Sequence, residues 1–182
     1  MVRSRRVADN RQRPPPFADP GGAAAPAAAG VLFHGDSLAL ARAWPAASLD
    51  LVYVDPPFGT GSVQRGRRGA YADRGDDPEA HVAWLGPWLE ASRAALAATG
   101  SLFVHLDWRA VHHVKVHLDH LLGRRCFAGE IVWCYAVGGK SRRGFGRKHD
   151  TILWYGRTPG WTFYPDQVRV PRRLVLAWMV DD

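Results

Sequence analysis

Asp55 stands where a carboxylate can do chemistry. The run Leu51-Val52-Tyr53-Val54-Asp55-Pro56-Pro57-Phe58 reads as a strand that feeds an acidic, double-proline, aromatic turn. Four consecutive apolar residues with β-branched Val predict a strand covered on both faces, as in a parallel sheet. Pro56 and Pro57 have no backbone N–H to donate, so the strand stops at Asp55. Asp55 then falls at the carboxyl end of a parallel strand, where open α/β sheets place their ligands. The turn offers two acceptors, the Asp55 carboxylate and the Pro56 carbonyl, beside the flat ring of Phe58. This set suits a planar heterocycle with an exocyclic amine. The acceptors take the amine hydrogens, the nitrogen keeps its lone pair for attack, and the ring stacks on the heterocycle. The competing reading is an ordinary strand end with an Asp-Pro turn, because so short a motif needs structural context.

Further runs supply context. Gly35-Asp36-Ser37-Leu38 comes first, and the aromatic turn continues into Gly59-Thr60-Gly61. Ser101-Leu102-Phe103-Val104-His105-Leu106-Asp107-Trp108 follows. Phe127-Ala128-Gly129-Glu130-Ile131-Val132-Trp133 and Lys148-His149-Asp150-Thr151-Ile152-Leu153-Trp154-Tyr155 complete the series. Together these motifs resemble the amino-methyltransferases of DNA, which methylate adenine N6 or cytosine N4. The likeness is greatest to the group whose catalytic half precedes its cofactor half, including modification subunits of type III restriction systems. It spans roughly residues 31–165 and fades beyond Pro165; one departure is Gly59, where relatives often carry Asn.

The resemblance implies catalytic roles for Asp55, Pro56, Pro57 and Phe58. It implies S-adenosylmethionine as methyl donor, with Asp36 and Asp55 contributing to its pocket. Asp36 also reads as the N-terminal carboxylate of the next helix, and both roles can hold together. Asp at the head of the motif leans toward adenine N6. The implied mechanism flips the base and transfers the methyl directly, so no catalytic Cys is required. Methylation of RNA or of a protein amide shares the pocket chemistry but fits the pattern less well.

The elements that must position these groups follow from pattern. Val31–His34 is a short strand, and a helix runs from about Ser37 to Trp44, stopped by Pro45. Residues 59–77 are rich in Gly and Arg and read as a mobile loop at the catalytic edge, with Arg65, Arg67 and Arg68 placed for phosphates. A helix over Pro78–Ala98 is expected to kink or split at Gly86-Pro87, with its Trp residues in the core. Ser101–Leu106 is a second buried strand. It delivers Asp107 to the same crevice, as a supporting group or as the cap of a helix over 108–122. On that helix His113, His117 and His120 share a face, which reads as a solvent-facing cluster rather than a metal site, since no acidic or Cys ligand completes a set. Glu130–Tyr135 and Asp150–Tyr155 form an antiparallel hairpin. Its loop carries Lys140, Arg142, Arg143, Arg147 and Lys148 with Phe145, a pattern for DNA phosphates and stacking. A solvated surface is the alternative for both basic loops.

Composition sets the frame. The chain has 182 residues and a net charge of +7, which favours a polyanionic partner such as DNA. Cys126 and Cys134 lack paired spacing and read as reduced core residues of a cytoplasmic protein. No apolar run reaches the roughly 20 residues of a membrane span. Residues 1–29, Arg-, Pro- and Ala-rich, read as a disordered basic tail, either touching phosphates or merely solvated. Residues 30–165 form the catalytic half of a methylase domain, and 166–182 carry no recognisable motif.

The Phe-x-Gly-x-Gly turn that holds the cofactor in this group is not found after residue 160. The expected fold is therefore α/β, a partial Rossmann-like methyltransferase sheet. Of the family order 3-2-1-4-5-7-6 it keeps the 4-5-7-6 half with a terminal antiparallel hairpin. The cofactor half is missing, as expected of a gene fragment, a frameshifted product or one part of a split enzyme, and in the last case a separate chain is a candidate to supply it. Alone, such a chain is expected neither to hold S-adenosylmethionine well nor to methylate DNA, and a non-catalytic nucleic-acid-binding remnant is the alternative. The Leu51 strand would lack its first-strand neighbour unless the Val31 strand took that place, leaving an edge open to docking or aggregation.

Overall fold

The structure is a computed structural model, and it describes residues 3–6, 31–61, 63–66, 69–72, 77–136 and 143–169. In chain order, β1 is Arg3–Arg6, β2 Val31–His34, α1 Ser37–Ala43, β3 Leu49–Val54, β4 Val63–Gly66 and β5 Gly69–Ala72. Then come α2 Pro78–Ala95, β6 Leu96–Leu106, α3 Val111–Leu121, a 3-10 turn at Arg124–Cys126, β7 Phe127–Cys134, β8 His149–Gly156 and α4 Pro165–Val168.

The main sheet has four strands in the order β3-β6-β8-β7. β3 and β6 are parallel, and β8 is antiparallel to both of its neighbours, β6 and β7. This is the expected 4-5-7-6 arrangement. The register pairs Val52 with Leu102 and Val54 with Val104, then Leu102 with Tyr155 and Val104 with Leu153. These side chains share one face and form a single cluster with Leu85 and Leu89 of α2 and Val114 and Leu118 of α3. Tyr155 anchors α3 from beneath. Its buried hydroxyl donates to Asp119 Oδ1 at 2.7 Å, and Lys115 closes the triangle with a 2.8 Å contact to the same oxygen. Burial raises the Asp119 carboxyl, but the bonds from Lys115 and Tyr155 outweigh it and hold the group below the usual carboxylate range. Burial and the Asp119 carboxylate push the Tyr155 phenol far upward.

Several expectations give way. β3 is covered on one face only: Val52 and Val54 pack on the core, while Leu51 is 57% and Tyr53 50% exposed. β2 does not enter the main sheet; it pairs antiparallel with β1 in a separate two-stranded sheet. Residues 3–6 of the supposedly disordered tail are thus a strand, because the backbone of β2 outside the sheet still needs partners; the rest of that tail lies outside the described residues. The Gly- and Arg-rich loop contains a β4–β5 hairpin. α2 runs unbroken through Pro87, held by Leu85 and Leu89 in the core, and ends at Ala95 rather than Ala98. β6 begins directly at Leu96, and its course past β3 requires Gly100: a Cβ there would meet the Leu49 carbonyl oxygen at 2.8 Å. Trp84 lies at the surface beside the His81 ring, and Cys134 is exposed on β7, so neither belongs to the core.

Candidate active site at the carboxyl edge of the sheet

Asp55 leaves the end of β3 with its side chain 60% exposed, while Pro56 and Gly59 behind it are buried and Pro57 and Phe58 half-buried. Gly59 has φ +70°. That left-handed backbone is open to Gly and tolerated by Asn, which accounts for both residues at this position of the motif.

The parallel register brings His105 of β6 beneath Asp55. The imidazole is 5% exposed. Its Nδ1 lies 3.0 Å from the Tyr53 hydroxyl and 3.9 Å from Asp55 Oδ1. Its Nε2 lies 3.3 Å from Asp150 Oδ2, and Tyr135 donates its hydroxyl to the other Asp150 oxygen at 3.2 Å. The rings of Phe58 and Trp133 stand 5.6 Å and 5.3 Å from the imidazole. Burial, then the charge of Asp55, raises the Tyr53 phenol; burial, then Asp150, raises Tyr135. Both hydroxyls therefore keep their protons as donors. The edge thus joins a solvent-facing carboxylate to a buried polar chain, within a frame of aromatic rings.

Asp107 is engaged elsewhere. Its Oδ1 accepts from the Arg109 backbone N–H at 2.9 Å, its Oδ2 pairs with the Arg109 guanidinium, and its carbonyl accepts from Val111 N at the start of α3. The carboxylate thus braces the turn ahead of α3 and does not cap the helix, whose N-cap is Ala110 with no side-chain bond. Beside it, Trp108 is a platform for cations: the guanidinium of Arg147 sits 3.5 Å from the ring centroid and that of Arg109 4.8 Å. Arg147 therefore belongs to the same edge as Asp55. Arg143 is exposed, Lys148 half-buried and Phe145 fully exposed. Arg65 has its backbone in β4. Arg67, Arg68, Lys140 and Arg142 lie outside the described residues. Asp36 caps α1, accepting from Leu38 N at 2.7 Å and Ala39 N at 3.1 Å, and stays exposed.

His105, Asp150, Tyr53 and Tyr135 were not singled out by the sequence reading. His105 did carry a signal, as the one ionisable side chain inside the apolar strand Ser101–Leu106. Its partners carried none, because they lie 45 and 52 residues away. The histidine face of α3 behaves differently from expectation. His113 and His120 are exposed, but His117 is half-buried, its ring 3.5 Å from where a Cβ on Gly86 would sit. Among the described residues no three His, Cys, Asp or Glu side chains are grouped to hold a metal.

A sequence profile of the DNA methylase family, whose members act at N6 or N4, matches residues 49–177. Asp36 precedes that span, which runs on past Pro165. The type II methyltransferase M.ScaI of Streptomyces caespitosus is 29% identical over 147 residues, covering 78% of this chain and 46% of the relative. The DNA adenine methyltransferase YhdJ of Escherichia coli is 24% identical over 142 residues, covering 77% of this chain and 46% of its own length. A solved structure of PvuII DNA methyltransferase, cytosine-N4-specific, superposes with a TM-score of 0.52 at 21% identity, over 70% of this chain and 48% of that one. The chain spans less than half the length of each, and the superposition speaks to the fold alone.

Proposed function

The chain belongs to the N6/N4 DNA methylase family, and from that premise we propose that it forms the base-binding side of a DNA amino-methyltransferase. The observation that carries this reading is the exposed Asp55 carboxylate beside the Phe58 ring, at the carboxyl end of a parallel strand. A base turned out of the duplex presents its amine to Asp55 and its ring face to Phe58. Flipping costs a few kcal/mol, offset by stacking and by those hydrogen bonds. Asp55 accepts an amine hydrogen and keeps electron density on the nitrogen. Asp at the head of the motif favours adenine N6 over cytosine N4 as the target.

The family's cofactor, S-adenosylmethionine, supplies an electrophilic methyl group when bound. The described residues fit one wall of its site. Asp36 and Asp55 are exposed acceptors, yet among the described residues no strand pairs with the outer edge of β3 to wall the space beside them. Enclosing a ligand of the cofactor's size takes roughly 70–90% of its surface. We therefore read these residues as one wall of the site, with the other wall supplied from outside residues 1–182, a separate chain being one candidate source. Phosphate contacts fall to the basic hairpin loop around Arg147, with the DNA in the cytoplasm. The exposure of Arg143, Phe145 and Arg147 also supports a second reading, a nucleic-acid-binding module without catalysis.

Labelled methyl transfer to mixed-sequence DNA tests the first reading. The chain alone is expected to show no turnover. Mixed with the cofactor-binding half of a relative, it should methylate, and Asp55→Ala should abolish transfer while leaving DNA binding intact. Near-normal methylation by that variant overturns the assignment. Absence of turnover in the mixture, with DNA still bound, selects the second reading.

A further inference from the structure

We propose that His105 is a positioning residue: tied to Asp150, it presents a bare Nδ1 to Tyr53 and so leaves the Asp55 carboxylate free of a donor from either of these side chains. The catalytic meaning of this inference rests on the reading of Asp55 given above; its structural content does not.

An ionised carboxylate only accepts, so the 3.3 Å contact between His105 Nε2 and Asp150 Oδ2 places the imidazole proton on Nε2. In the neutral ring Nδ1 is then an acceptor. The 3.0 Å contact with Tyr53 requires the phenol to donate. The second Asp150 oxygen accepts from Tyr135 at 3.2 Å, which fixes the carboxylate that fixes the imidazole. The result is a polarised chain across four segments: Tyr53 on β3 to His105 on β6 to Asp150 on β8, with Tyr135, just past β7, donating from the far side. Every proton in it points toward Asp150 and away from Asp55.

The alternative tautomer would do the opposite. With the proton on Nδ1, the ring would aim a donor toward Tyr53 and toward Asp55 Oδ1, 3.9 Å away. The Tyr53 hydroxyl, then an acceptor from His105, would turn its own proton outward, where Asp55 is the nearby acceptor. A carboxylate that already holds an internal donor competes poorly for the amine of an incoming base. Burial of the imidazole and the flanking Phe58 and Trp133 rings keep water from supplying a substitute partner. The raised Tyr53 phenol is consistent with a hydroxyl that keeps its proton beside the Asp55 charge.

The chain as it stands can be tested without any methyl transfer. Imidazole ¹⁵N spectra of the full chain, recorded with the rings neutral, report each tautomer separately. His105 is identified by the signals that His105→Gln removes. Tyr53→Phe supplies an independent identification, since it takes one hydroxyl from Nδ1 at a half-exposed position and leaves the core unchanged. The expected result is a single Nε2–H tautomer for His105. Its Nδ1 resonance should shift in Tyr53→Phe, and the single tautomer should be lost to a mixture in Asp150→Ala. A protonated Nδ1 in the unmodified chain overturns the proposal, as does an Nδ1 signal that Tyr53→Phe leaves in place. These outcomes are independent of the methylation assay. A correct tautomer with Asp55→Ala still active would sink the function and keep the positioning; the reverse pair would do the opposite.

Discussion

The two faces of the main sheet both carry large apolar side chains and meet different surroundings, the second face also holding the Tyr53–His105–Asp150 chain. On one face Leu102, Val104, Leu106, Leu153 and Tyr155 are sealed beneath α2 and α3. On the other, Leu51 and Tyr53 are half exposed, Ile131 and Trp133 are 50% and 54% exposed, and Phe103 stacks on Trp154 at 5.5 Å near the surface. Hydropathy does not separate the two sets. Topology does. The connection from β3 to its parallel neighbour β6 passes through α2, and the connection from β6 on past β8 to β7 passes through α3. Both step across the sheet in the same direction. Because parallel crossovers are right-handed, both helices fall on the same face. Covering the other face takes crossovers that step the opposite way, and the described residues contain none. An apolar face left open in this manner is a surface for association.

The largest test of this contrast truncates one leucine on each face. Leu102→Ala should lower the unfolding free energy by about 2–5 kcal/mol, since a fully buried side chain leaves a cavity in a packed cluster. Leu51→Ala should cost about 0.5 kcal/mol or less. Urea unfolding of the two variants measures both. Equal losses would mean that the faces are equally enclosed in solution.

A smaller effect probes the latch beneath the covered face. Asp119→Asn weakens the contacts with Lys115 and Tyr155 that hold α3 on β8, and should cost about 1 kcal/mol at neutral pH. The sign with pH follows from the lowered folded carboxyl. Its contribution is fully present above the unfolded value of about 3.9 and is lost as pH falls through the folded value. Asp119→Asn should therefore match the unmodified chain in strong acid and fall behind as pH rises. A constant gap across that range would assign the loss to packing rather than to charge.

The same contrast explains what the sequence could disclose. Strand order, the terminal hairpin and the place of Asp55 were legible, because apolar runs, the double proline and the resemblance each constrain one local segment. The continuity of α2 through Pro87 was not, because burial of Leu85 and Leu89 overrides a local helix breaker. One-sided cover of β3 was not either. Leu51, Val52, Tyr53 and Val54 are apolar on both sides of the pleat, and only the direction of the crossovers tells which side is roofed. At the site, Asp55 was announced by its neighbours in sequence, whereas Tyr53, His105 and Asp150 meet only through strand register.

The smallest expected effect is the most exacting for the comparison. Leu51→Lys and Ile131→Lys place charges on the open face, at positions 57% and 50% exposed. A lysine there keeps its ammonium in water and lays its stem along the sheet, so neither charge is desolvated. Stability of each variant should stay within about 0.5 kcal/mol of the unmodified chain. Self-association should fall, because each charge interrupts an exposed apolar patch. Unfolding at several protein concentrations reads both quantities together, since an associating species shows a midpoint that rises with concentration. A loss well above 1 kcal/mol for either variant, with no change in association, would mean that the open face is covered within the folded chain. The contrast between the two faces would then dissolve. A loss that scales with concentration would instead locate the cover in a second copy, and the open face would be an interface already in use.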